Sequence, residues 1–167
     1  MEVMLDLCNR NRLELEGCTI VLPTEEERLL NTLDELSIGT YDDIIIKNYK
    51  SKMSIDFTIY TGNNLCDVNN SIDELNQYAD DSVIIALSEV FNYLDDMVPI
   101  VRKGIYEFYP DKTLTDLAYM FSDDSRYSYS YSNNDIYNIV DLMRLQGYIE
   151  VSTGVILITE VTNQNRI

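Results

Sequence analysis

The sequence predicts an α+β fold divided into two or three small lobes, and three observations point there. Hydrophobic residues make up 46% of the 167 positions, enough to build a real core. Short alternating or β-branched runs, the mark of strands, share the chain with apolar stripes at three- and four-residue spacing, the mark of helices. Clusters of Gly, Pro and Asn separate these segments. The expected lobes are residues 1–61, α+β; residues 62–103, mainly helical; and residues 104–167, again α+β.

Val3 to Cys8 and Cys18 to Leu22 are apolar runs on either side of a polar stretch with Gly17, so two strands are expected, joined as a hairpin with a long loop. Pro23 ends the second. Thr24 and Glu27 have capping-box spacing, and Leu29, Leu30, Leu33 and Leu36 follow at helical spacing. They predict a helix over residues 24–37, stopped by Gly39. Ile44, Ile45 and Ile46 predict a buried strand. Ile55, Phe57 and Ile59 alternate with Asp56 and Thr58 as a further strand over residues 55–60. The Asn- and Gly-rich stretch 61–70 reads as a connection between lobes.

Ser71 and Glu74 offer a second capping box, with helices expected over about residues 72–79 and 82–97. The stripe Ile84, Leu87, Phe91, Leu94 and Val98 suits core packing or a partner surface. Pro99 is expected to break the helical pattern. Residues 104–109 alternate as a strand that Pro110 closes. Thr113 and Asp116 open a helix with Leu114, Leu117, Ala118 and Phe121 on one face. Tyr127, Tyr129 and Tyr131 alternate with serines, as an edge strand or an extended loop. Ile136, Ile139, Val140 and Met143 mark a last helix with Gly147 as its C-cap, and a hairpin across Gly154 joins residues 148–151 to 155–161.

Much chemistry is missing. The chain has no histidine, the commonest general base and transition-metal ligand. It has neither a P-loop nor a dinucleotide-binding glycine pattern, and Asp67 with Asn69 fails the EF-hand spacing. No catalytic residue, metal or cofactor is therefore expected. Cys8, Cys18 and Cys66 show no C-x-x-C spacing and read as free thiols of a reducing compartment. No apolar run reaches the roughly 18 to 20 residues of a membrane span, and the first residues lack a signal-peptide core, so a cytoplasmic protein is expected.

Charge is the informative quantity. Asp and Glu number 29 against 12 Lys and Arg, a net charge of −17. Such a surface repels nucleic acid and acidic membranes and attracts basic protein surfaces. The carboxylates are spread through the chain, with adjacent pairs at Asp42 and Asp43, Asp80 and Asp81, Asp95 and Asp96, and Asp123 and Asp124. Between Lys52 and Arg102 nine acids stand without one basic residue. Stability alone favours interleaved lysines, so this segment reads either as a binding surface or as an ordinary solvated face. The candidate partner-binding carboxylates are Asp67, Asp73, Glu74, Asp80, Asp81, Glu89, Asp95 and Asp96, with Asp42 and Asp43 second.

Several segments resemble the ArdA antirestriction family over roughly residues 13–80. They are Leu15-Glu16-Gly17 leading into Ile20-Val21-Leu22-Pro23, the acidic helix start Thr24-Glu25-Glu26-Glu27, the stretch Tyr41 to Tyr49, and Ser71-Ile72-Asp73-Glu74-Leu75-Asn76. In the third segment Asn48 stands where the family has Asp, and the aromatic residue the family carries before Leu-Pro is absent. The resemblance implies an elongated homodimer of small lobes that mimics duplex DNA. Its carboxylates would stand in for phosphates and occupy the DNA site of a type I restriction-modification enzyme, with no direct nucleic-acid binding of its own. At one charge per about 1.7 Å of duplex axis, 17 net charges correspond to roughly 29 Å, or about 8 to 9 base pairs per chain. Two other readings stay open: a different acidic anti-defence inhibitor or adaptor, such as an anti-CRISPR-type protein, and a metal-assisted enzyme using carboxylates alone.

Overall fold

The computed structural model describes residues 1–14, 16–53, 55, 58–59, 64–122 and 136–159. It is an α+β fold with two three-stranded antiparallel sheets and, among the described residues, six α-helices. In chain order these are β1 (Val3–Asn9), β2 (Cys18–Leu22), α1 (Glu26–Glu35), β3 (Ile44–Ser51), α2 (Leu65–Tyr78), α3 (Asp81–Val90), α4 (Leu94–Lys103), β4 (Tyr106–Pro110), α5 (Leu114–Phe121), α6 (Ile136–Leu145), β5 (Tyr148–Val151) and β6 (Gly154–Ile158).

The first sheet has the order β2-β1-β3. The expected hairpin forms, pairing Val3 with Leu22 and Leu7 with Cys18. Alternation along β1 sends Val3, Leu5 and Leu7 into the core. Against β3 the register shifts between Asp6, opposite Asn48, and Leu7, opposite Ile46. Lys47 is the extra residue of this bulge. It lets Ile44 and Ile46 point inward while Lys47, Asn48 and Lys50 reach solvent.

The start and stop signals of α1 differ from expectation. Glu25, not Thr24, is the N-cap, and no side chain caps it. The Thr24 backbone is bound by Asn69 of α2, whose Oδ1 accepts from its N–H at 2.8 Å and whose Nδ2 donates to its carbonyl at 3.3 Å. At the other end the left-handed residue is Ser37, at φ 53, rather than Gly39. The Ile38 N–H donates to the Leu33 carbonyl and the Ser37 N–H to the Asp34 carbonyl, so the chain turns out two residues before the glycine. A serine there carries the Cβ clash that glycine lacks. Ser37→Gly is expected to raise stability by about 0.5 to 1 kcal/mol in urea unfolding; an unchanged or lower midpoint would contradict this backbone assignment.

The central helices also depart from the sequence reading. Asn64 caps α2, its Oδ1 accepting from the Cys66 N–H at 2.9 Å. Residues 65–70 are therefore helical, and Ser71 lies inside the helix instead of opening it. An Asn-rich stretch suits this because Asn64 is a good cap and Asn69 is spent on Thr24. The single helix expected over residues 82–97 is two: Phe91 takes extended backbone (φ −115, ψ 130) and α4 begins at Leu94. Pro99 sits within α4 and does not end it. It is exposed, as is Asp95, the residue whose carbonyl the missing proline N–H would otherwise pair. Gly104, at φ 62, ends α4. In the expected strand over residues 55–60, Asp56, Phe57 and Tyr60 lie outside the described residues; Thr58 makes a lone parallel bridge to Tyr93.

The second sheet has the order β4-β6-β5, and the expected Tyr148–Val151 hairpin arm pairs with β6. Both of its faces are covered, as the unbroken apolar run of β6 requires. Ile156 and Ile158 join one large core with β1, β2, β3 and α1 to α4. Val155 and Tyr148 join a smaller one with Leu114, Leu117, Ala118, Ile139, Val140 and Met143. Thr113 and Asp116 open α5 as expected, and do so as a capping box: the Asp116 N–H donates to Thr113 Oγ1, and the Asp116 carboxylate accepts from the Thr113 N–H at 2.9 Å. That bond holds the Asp116 carboxyl below its ordinary value. Glu150 of β5 adds an acceptor for the Leu114 N–H at 2.8 Å. Asp123, Asp124, Tyr127, Tyr129 and Tyr131 lie outside the described residues.

Candidate functional site

The ten candidate carboxylates fall into two groups in the fold. Asp42 and Asp43 form a 3-10 turn entering β3. Asp42 Oδ1 accepts from Asn64 Nδ2 at 3.4 Å and Asp43 Oδ1 from Asn11 Nδ2 at 3.1 Å, so both help to hold neighbouring loops. The other eight lie on the three central helices and their caps. Asp67, Asp73 and Glu74 are on α2, Asp80 and Asp81 begin α3, Glu89 is near its end, and Asp95 and Asp96 are in the first turn of α4.

Three of the eight are engaged within the molecule. Arg102 of α4 reaches back to α2 and grips Glu74 bidentately, Nε and Nη2 each 2.7 Å from a carboxylate oxygen. This supplies a cation to the segment that has none of its own. The Met1 amino group stands 3.4 Å from Asp81 and donates to Asn76 Oδ1 at 2.6 Å. Glu89 accepts from the Ser152 N–H at 2.9 and 3.1 Å and from its hydroxyl, tying α3 to the β5–β6 turn. Thr153 completes that joint by donating to the Ser82 carbonyl at 3.0 Å. Glu89 is thus a structural joint, not a free surface charge.

The remaining five, Asp67, Asp73, Asp80, Asp95 and Asp96, are exposed and make no ion pair with a described residue. This density of acid costs the fold self-repulsion. The structure shows a compensation: Asp67, Asp95 and Asp96 lie in first turns and Asp80 at an N-cap, where the helix dipole favours negative charge. Asp73, in the middle of α2, has no such support.

Asp80 has a further peculiarity. It occupies the N-cap of α3 with extended backbone (φ −74, ψ 160), yet its carboxylate caps nothing. A cleft of about 210 Å³ opens beside it, lined by Asn76, Tyr78, Val83 and Tyr106. Tyr106 comes from β4 in the second sheet, and burial, aided by the charge of Asp80, pushes its hydroxyl pKa up. The sequence reading placed Tyr106 on a strand, but only tertiary packing brings it to the α2–α3 turn.

Cys18 and Cys66 are not poised for chemistry. Burial, reinforced by Glu35, pushes the Cys18 thiol up to about 11, and burial raises Cys66 as well. Both stay protonated near neutral pH and are poor nucleophiles. Among the described residues no group of three or more His, Cys, Asp or Glu side chains could hold a metal ion, and no helix is long and apolar enough to cross a membrane. No protein-family model matches the chain, and no curated protein matches it.

Proposed function

We propose that this protein is a DNA mimic that occupies the DNA-binding cleft of a type I restriction-modification enzyme and blocks it without catalysis. The observation that carries the reading is the set of five exposed carboxylates on α2, α3 and α4, none paired with a described cation. A cleft built for duplex phosphates presents Lys and Arg in just the excess these carboxylates lack, and the net charge of −17 draws such a surface in. The resemblance of residues 13–80 to the ArdA family selects this class of target, and a two-fold dimer would double the length of duplex imitated. Backbone dipoles favour negative charge at helix N-termini, so such carboxylates can face outward without internal cations.

The test is competition among purified type I enzyme, labelled cognate duplex and this protein. Displacement near one protein chain per DNA-binding site at low salt is expected. Raising salt through the physiological range should weaken it, because screening acts on the same charge pairs. Failure to displace duplex at any salt would remove the proposed target.

A further inference from the structure

We propose that the cleft between the α2–α3 turn and β4 receives one arginine side chain of the target protein, making Asp80 a specificity-determining contact and not one charge among equals. The inference rests on the reading of the acidic helices as a surface for a basic cleft.

Three features of the cleft point to a guanidinium. The first is Asp80 itself. In this chain Asn64 and Thr113, at the N-caps of α2 and α5, both accept from backbone N–H groups of their helices. Asp80 holds the same position on α3 with the right backbone and makes no such bond, so its oxygens are available to an outside donor. The second is the aromatic lining: Tyr78, 46% exposed at the end of α2, and half-buried Tyr106 flank the opening. A planar, weakly hydrated guanidinium stacks on such rings, whereas a compact ammonium remains better solvated in water. The third is fixed geometry. Asn76 is held on both sides of its amide by the Met1 amino group and carbonyl, at 2.6 and 2.9 Å. Val83 of α3 is buried at the cleft floor. Arg102 of α4 is committed to Glu74. The opening of about 210 Å³ has room for the end of one long side chain and excludes a folded segment.

The experiment has two arms. In the first, NMR follows the full-length protein titrated with ethylguanidinium chloride and, separately, ethylammonium chloride. Saturable shifts centred on Tyr78, Val83 and Tyr106 are expected with ethylguanidinium, and smaller ones with ethylammonium. Asp80→Asn, which keeps a good N-cap residue, should weaken the guanidinium response about tenfold, against about twofold or less for Asp67→Asn. In the second arm the same variants enter the duplex-competition assay, where Asp80→Asn should raise the half-displacing concentration about tenfold and Asp67→Asn about twofold. If wild type displaces duplex but the two variants behave alike and guanidinium shifts spread over the whole surface, the cleft proposal is overturned and the mimic reading stands. If guanidinium binds the cleft as described but wild type never displaces duplex, the cleft proposal stands and the target enzyme falls.

Discussion

Changing Asp67, Asp73, Asp80, Asp95 and Asp96 together to asparagine is expected to raise the concentration that displaces half the duplex by roughly a hundred- to a thousandfold. Asp80 contributes about tenfold and each of the other four exposed charges about two- to threefold, roughly 0.4 to 0.65 kcal/mol apiece, and these losses multiply. Asparagine preserves size and N-capping ability, so the helices should persist. Two opposing effects act on stability: loss of dipole-stabilised charge at the helix starts, and relief of repulsion among like charges. A circular-dichroism melt of the variant separates a folding defect from a binding defect. A folded variant that still displaces duplex as wild type does would mean that inhibition, if present, runs through another surface. The contrast with catalysis is built in, because one neutral substitution ruins an active-site carboxylate but only erodes a distributed surface.

The largest stability effect is expected at the β5–β6 turn. Gly154 has φ 148, and a Cβ there would stand 2.2 Å from the Tyr109 carbonyl oxygen and 3.1 Å from the Pro110 Cα and the Asp111 N. All three atoms are backbone of β4 and its turn, so neither strand can yield without breaking the pairing of Pro110 with Gly154. Gly154→Ala should cost about 3 kcal/mol or more and lower Tm by roughly 6 to 12 °C for a chain of this size. Gly39→Ala is the matched control: nothing lies within 4 Å of its Cβ and its φ is not positive. That variant should match wild type or gain a few tenths of a kcal/mol, roughly, from a less flexible unfolded chain. Equal melting of the two variants would refute the strand geometry around Gly154.

Periodicity made the strands and helices legible, because inward positions repeat at two or at three and four residues. Val3, Leu5 and Leu7, and again Leu114, Leu117 and Ala118, are buried as their spacing requires. Caps were less legible, since a cap depends on which group reaches it first. The N-cap of α1 is Glu25, with the preceding Thr24 backbone bound by Asn69 of another helix, and Ser71 lies inside a helix that Asn64 had already started. Pro99 misled because the penalty of a helical proline depends on whether the freed carbonyl meets water, which a linear pattern does not reveal. For the acidic surface, the sequence supplied the residues but not their engagements. That Arg102 closes on Glu74, that Glu89 closes on Ser152, and that Asp80 is left facing Tyr106 all follow from packing between segments far apart in the chain.

Because β6 lies late in the chain yet seats Ile156 and Ile158 in the core shared by β1 and α2, that core has a timetable. During synthesis the residues that β1 to α4 give to this core precede Ile156 and Ile158 by the time needed to make residues 104–158. At about 5 to 20 residues per second that interval is roughly 3 to 11 seconds, far longer than helix formation or collapse. Throughout it this core lacks those two side chains, and also Tyr106, Phe108 and Val151, which pack against it from the same sheet, until each is made. The net charge of −17 of the whole chain, built up as synthesis proceeds, adds repulsion between neighbouring copies during that interval.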